Sequence, residues 1–194
     1  MASIRPVALA VIRRPRDGAV LVFEGGNGKF HRPLGGGIEF GETAERAVHR
    51  ELKEELGAEL TDVRRIGVLE NLFWLDGARG HEIVFVFAAA FKDTELYDLE
   101  RLAYVEDDEQ SEAIWVLPAD ARANPDGPPL YPDGLLALLR EEERRRGRGS
   151  RRGLWDLLSS PAVRCGGSLA LWGLTLLFLF GGRARVSSSF SLRR

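Results

Sequence analysis

The chain has 194 residues, 44% hydrophobic and 29% charged, which excludes wholesale disorder and fits one globular domain with at most a short appendage. A single cysteine, Cys165, excludes an internal disulfide and suits a reducing compartment. The net charge of −2 hides a division: residues 144–194 carry eleven arginines and one acid, which leaves 16 basic and 28 acidic groups in residues 1–143. A body this acidic grips nucleic-acid backbone poorly, so no nucleic-acid polymer is expected as a partner. The start, Met1 to Pro6, lacks the charged-then-apolar pattern of a secretory signal, and a cytoplasmic location is expected.

In chain order, Pro6 to Ile12 (PVALAVI) and Ala19 to Phe23 (AVLVF) are apolar, β-branched runs. The Arg-Pro-Arg-Asp-Gly segment between them predicts a hairpin. Gly25 to Gly28 reads as a loop, and Lys29 to Arg32 as a short strand stopped by Pro33. Gly35-Gly36-Gly37 leads to Thr43, a helix N-cap residue, and a helix is predicted over 44–56 with Gly57 as its stop. Strands follow at 63–72 and 82–91 around a polar, Gly-containing loop, Asp76 to Gly80. Residues 95–112 form an acidic stretch, 113–117 (AIWVL) a short strand, and 133–146 a last helix after Pro128-Pro129 and Pro132. Mixed strands with one central and one closing helix make an α+β or α/β sandwich over residues 1–146.

The central helix carries the chemistry. At ~100° per residue, Ala44, Ala47, Val48, Leu52 and Leu56 share one apolar arc. Glu51 and Glu55 fall inside that arc and Glu54 lies at its edge, neighbours at i, i+3, i+4. Carboxylates gathered beside a core are costly unless paired, protonated or bound to a cation. A hard divalent ion such as Mg²⁺ takes oxygen ligands and removes the cost. A solvated acidic face paired with Arg46, Arg50 and Lys53 is the competing reading.

Gly36 is followed by five residues and Glu42, then by seven residues and Arg50-Glu51-Leu52-Lys53-Glu54-Glu55-Leu56-Gly57-Ala58. This spacing resembles the box of the Nudix hydrolases at every fixed position, with Ala58 smaller than the usual aliphatic residue. The resemblance implies a Nudix-type α/β/α sandwich with a mixed sheet and a C-terminal extension. It implies a Mg²⁺-dependent hydrolase, with Mn²⁺ as a substitute, that cleaves a phosphoanhydride bond of a nucleoside diphosphate linked to another group. By the same resemblance Glu51, Glu54 and Glu55 hold the metal, with the Gly36 backbone alongside, and Arg50 positions a neighbouring glutamate such as Glu42. The base differs between members, so Glu51, Glu54, Glu109 and Glu112 all stand as candidates, and Glu109 also as an extra metal ligand. Loss of turnover with retained nucleotide binding, as in a sensor, is the alternative; such relatives usually lose box acids, and this chain keeps them.

Lys29, His31 and Arg32 just upstream of the glycine loop, with Gly35 and Gly36 in it, are placed to meet phosphate, and Trp74, with Phe73, to stack on a base. The three histidines, His31, His49 and His81, show no zinc-ligand spacing. The partner expected is a small nucleotide-derived substrate, and the sequence allows a homodimer. Residues 147–153 are an Arg/Gly/Ser linker, and residues 165–182 are uncharged. Their apolar heart falls short of the ~20 residues that span a bilayer. This tail, residues 147–194, is read three ways: a membrane contact, a packed helix, or a disordered extension.

Overall fold

The computed structural model describes residues 3–26, 28–75, 77–106, 109–118 and 127–159. The chain divides into two compact units, residues 1–147 and 148–194. Among the described residues seven strands and two α-helices are formed: β1 (Arg5–Ile12), β2 (Val20–Gly25), β3 (Phe30–Arg32), α1 (Ala44–Leu56), β4 (Leu60–Leu75), β5 (Ala78–Phe91), β6 (Arg101–Glu106), β7 (Glu109–Val116) and α2 (Leu135–Ser159). A 3₁₀ turn, Thr94–Tyr97, joins β5 to β6. The apolar segment 165–182 lies outside the described residues, among which no helix is long and apolar enough to cross a membrane.

One sheet has the order β1-β5-β4, with β1 parallel to β5 and β4 antiparallel to it. The other is antiparallel, in the order β3-β2-β7-β6. The expected hairpin between the first two strands is therefore only a turn. Gly18 N–H donates to the Arg14 carbonyl and Arg14 N–H to that of Ala19, both at 2.8 Å, but the strands then part into different sheets. Strand β6 rises from the middle of the acidic stretch, where Leu102 and Tyr104 alternate inward and are buried.

Alternation along β1 organises the core on two sides. Ala8, Ala10 and Ile12 pack with Ala47, Val48 and Leu52 of α1. Val7, Leu9 and Val11 pack with Leu135 and Leu139 of α2. Helices on opposite faces of sheet structure make the α/β/α sandwich that the sequence predicted.

The segment 34–38 runs along the free edge of β1. Ala10 N–H donates to the Leu34 carbonyl and Ala8 N–H to that of Gly36, both at 2.9 Å, and Ile38 N–H to Pro6 at 3.0 Å. These bonds fasten the glycine loop to the sheet edge. Gly35 permits the approach: its φ is +126°, and a Cβ there would fall on the Ala8 carbonyl, 3.1 Å from Leu9 Cα.

Candidate active site

Helix α1 starts and stops where its sequence dictates. The Thr43 hydroxyl accepts from Arg46 N–H at 3.3 Å, and Gly57, at φ 67°, donates to the Lys53 carbonyl at 2.9 Å. Burying Ala47, Val48 and Leu52 sets the helix rotation, and that rotation gives the three glutamates unequal surroundings. Glu55 is buried, the Glu51 side chain is 15% exposed, and that of Glu54 is 61% exposed.

Arg50 organises the loop and the helix together. It grips Glu42 with two parallel hydrogen bonds, Nε to Oε1 at 3.1 Å and Nη2 to Oε2 at 3.0 Å. Its Nη1 donates to Glu51 and Glu54 at 3.0 Å each, and its Nη2 to the Gly37 carbonyl at 2.9 Å. The Glu42 bond is the main reason Arg50 is held protonated more firmly than an ordinary arginine, with burial opposing. The same bond keeps the Glu42 carboxyl below the usual range. Burial pushes the Glu51 carboxyl up, against the pull of Arg50.

The glycine loop meets these acids closely. Gly35 N–H donates to Glu55 Oε2 at 3.2 Å, and Arg32 Nη2 donates to the Gly35 carbonyl at 2.8 Å. A Cβ at Gly36 would land on the Glu51 carboxylate, within 2.7 Å of Oε2. Glu51, Glu54 and Glu55, together with Gly36, Gly37, Arg5 and Val105, line a cleft of about 370 Å³. Among the described residues no three acids are already gathered tightly enough to hold a metal, since Arg50 draws Glu51 and Glu54 to itself. The donors nonetheless suit a hard cation: carboxylate oxygens on one cleft wall, one partly buried and one largely exposed, beside a glycine without a side chain.

A second cavity, about 330 Å³, contains Lys29, Arg32, Trp74 and Phe73. The sequence singled out all four. It missed Arg5, Phe30, Asn71, Glu82 and Tyr131, which line the same cavity. Tyr131 packs against Phe30 (5.3 Å between ring centres) and edge-on to Phe73 (6.4 Å). Trp74 is 70% exposed with Arg79 over its ring. Asn71 and Glu82 face each other across the β4–β5 ladder, both at least nine-tenths buried, and Asn71 Nδ2 donates to Glu82 Oε2 at 3.3 Å. Asn71 Oδ1 is buried with no hydrogen-bond partner among the described residues.

Other sites separate from these. Glu112 pairs with Arg101 at 2.9 Å on the exposed β6–β7 hairpin. Only the backbone of Glu109 is described, opposite Glu106 at the hairpin tip. Val105, next to that tip, lines the carboxylate cleft. His31 is buried in β3 with its Nε2 3.4 Å from Glu24. A larger cavity, about 590 Å³, includes Arg13, Arg64, Arg146 and Glu142, whose charges are already paired: Arg13 with Glu143, and Arg64 and Arg146 with Glu142.

The family profile of the NUDIX domain matches residues 4–134. Among solved structures, a MutT NUDIX hydrolase from Burkholderia pseudomallei is 25% identical, with TM-score 0.51, covering 70% of this chain and 96% of its own. A NUDIX hydrolase from Nitrosomonas europaea shares the fold at 17% identity and TM-score 0.52, covering 73% and 90% respectively. A MutT protein from Methanosarcina mazei Go1 does so at 19% and 0.50, covering 75% and 96%. No curated protein matches the chain. With an intact box, a loop and helix locked together by Arg50, and a profile match over most of its length, the chain belongs to the Nudix hydrolase family.

Proposed function

We propose that residues 1–146 form a Mg²⁺-dependent pyrophosphohydrolase acting on a nucleotide-derived anhydride. The observation that carries this reading is the cleft in which Glu51, Glu54 and Glu55 face the Gly36 backbone, with a cationic and aromatic cavity sharing the Arg5 wall beside it. Glu51, Glu54 and Glu55 would hold Mg²⁺, with Mn²⁺ as a substitute. Bound there, the ion supplies neutralisation of diphosphate charge.

The remaining work falls to side chains. A water oxygen attacks phosphorus, the bridging P–O bond breaks, and the departing phosphate keeps the electron pair. The proton passes to a carboxylate, Glu51 or Glu54 on the cleft wall, or Glu109 at the tip of the β6–β7 hairpin. Glu51 has the strongest claim, because its carboxylate lies against the Gly36 backbone on the cleft wall. Arg50 keeps that carboxylate oriented through its 3.0 Å bond, while Glu42 keeps Arg50 in place. In the cavity, Phe73, Tyr131 and Trp74 offer ring faces for a base, and Lys29 and Arg32 offer charge to phosphate. Asn71 Oδ1 and the Glu82 carboxylate add acceptors for ring or amino N–H groups.

The test is product release from NDP-sugars, ADP-ribose, dinucleoside polyphosphates and (d)NTPs in about 5 mM Mg²⁺, near saturating for open carboxylate sites. Wild type is compared with Glu54→Gln. Turnover of a panel member that disappears in the variant is the expected result. Nucleotide binding without turnover in either protein would make the chain a sensor on the same fold.

A further inference from the structure

Arg5 opens β1 at the junction of the two cavities and lines both of them. Its guanidinium makes no ion pair or side-chain hydrogen bond with a described residue, although Glu82 is its register partner on β5 and three glutamates share its cleft. Arg14, Arg50 and Arg64 in the same fold are each committed to carboxylates. An arginine kept unpaired in so acidic a body is available to an anion that arrives from outside. Arg32, the other guanidinium of the cavity, is spent partly on the Gly35 carbonyl and lies over the Phe23 ring, 5.5 Å from its centre.

The charges on either side of Arg5 differ in sign. Glu51, Glu54 and Glu55 line the cleft, whereas Lys29 and Arg32 outnumber Glu82 in the cavity. A molecule lying in both must pass Arg5. Its aromatic ring would stack among Phe30, Phe73, Trp74 and Tyr131, and its anhydride would lie over the glutamates. The group crossing between them is the phosphate nearest the nucleoside. We propose that Arg5 is a positioning residue that grips this nucleoside-proximal phosphate and joins cavity and cleft into one site for a nucleoside 5′-phosphate derivative. This rests on the hydrolase reading above for the fate of the anhydride, but the grip itself is a matter of binding.

Equilibrium binding separates the two. AMP, GMP, CMP and UMP, and the four matching nucleosides, are titrated in Mg²⁺ into the full chain and its Arg5→Gln and Arg5→Lys variants. A charge-assisted, two-pronged contact predicts that wild type favours at least one monophosphate over its nucleoside by about tenfold or more. Arg5→Gln should cut that preference by about tenfold while leaving nucleoside affinity within about twofold, and Arg5→Lys should fall between. On any hydrolysed panel substrate the Gln variant should raise KM more than it lowers kcat. The proposal is overturned if Arg5→Gln keeps the wild-type preference, if it weakens nucleoside and monophosphate equally, or if no monophosphate binds wild type. A silent hydrolysis panel beside an intact monophosphate preference would sink the hydrolase reading and leave Arg5 in its role.

Discussion

Gly35 and Gly36 stand next to each other and are glycines for different reasons. At Gly35 the obstacle is backbone, the Ala8 carbonyl, and φ is +126°, a region closed to side chains. At Gly36 the obstacle is the carboxylate of Glu51, the far end of a flexible side chain. Gly35→Ala therefore has no cheap relief and should cost roughly 2–4 kcal/mol, from a strained φ together with a clash against packed backbone. Gly36→Ala can be accommodated by swinging Glu51 aside, so its melting temperature should drop by only a few degrees. The displaced carboxylate no longer sits beside Arg50, and kcat should fall by about tenfold or more if its placement matters to the reaction. Thermal melts of both variants, with turnover of the latter, check the contrast. An active Gly36→Ala enzyme would mean that Glu51 is not held where the chemistry needs it.

Helix α1 shows which parts of this protein are legible from sequence. Its cap, its stop, its buried stripe and the acids intruding on that stripe are encoded within fifteen consecutive residues, from Thr43 to Gly57, so local rules recover them. Thr43→Ala should cost about 1 kcal/mol through the lost bond to Arg46 N–H, visible as a small shift in the denaturant midpoint with an unchanged slope. A larger loss would show that Thr43 also holds the glycine loop. The cavity was harder to read, because Arg5, Phe30, Asn71, Glu82 and Tyr131 come from β1, β3, β4, β5 and the loop before α2. Only strand register assembles them, and the Asn71–Glu82 contact exists because β4 and β5 pair in one alignment out of many. The separation of β1 from β2 has the same origin: an Asp17-Gly18 turn reverses the chain, but β1 pairs along its length with β5, from Arg5 opposite Glu82 to Ile12 opposite Ala89, and so joins the other sheet. Strand β6 was concealed by composition, its inward Leu102 and Tyr104 sitting among acids that made the segment read as a loop.

Across the whole molecule, the two sides of the sandwich are tied by ion pairs as well as by apolar packing, and this makes stability depend on pH. Glu142 of α2 is buried to 6% exposure and bonds Arg64 of β4, while Arg146, one turn on, reaches it at 2.9 Å. These contacts, led by Arg64, hold the Glu142 carboxyl below the usual glutamate range although burial opposes them. Arg14 does the same for Asp17, and Arg16 foremost for Glu100. A carboxyl whose pKa is lower in the folded state contributes stability above its unfolded value and loses it as pH falls through the folded one. The melting temperature should therefore hold steady from neutral pH to the ordinary carboxylate range and decline below it. Glu51 runs the other way: burial raises its folded pKa against the pull of Arg50, so protonation relieves a desolvation cost and softens the decline without reversing it. Glu142→Gln isolates the helix–sheet tie. The side chains of Arg64 and Arg146 are about half exposed (48% and 54%), so once released they regain water, and the neutral-pH cost should stay near 1–2 kcal/mol, below that of an ion pair buried on both sides. The variant should also lose part of the acid-dependent decline, because the group that titrates is gone. Circular-dichroism melts of both proteins at pH 7 and at pH 3 measure the difference. If the gap between wild type and variant is as wide at the acidic end as at the neutral one, Glu142 stabilises the fold by packing and not by charge.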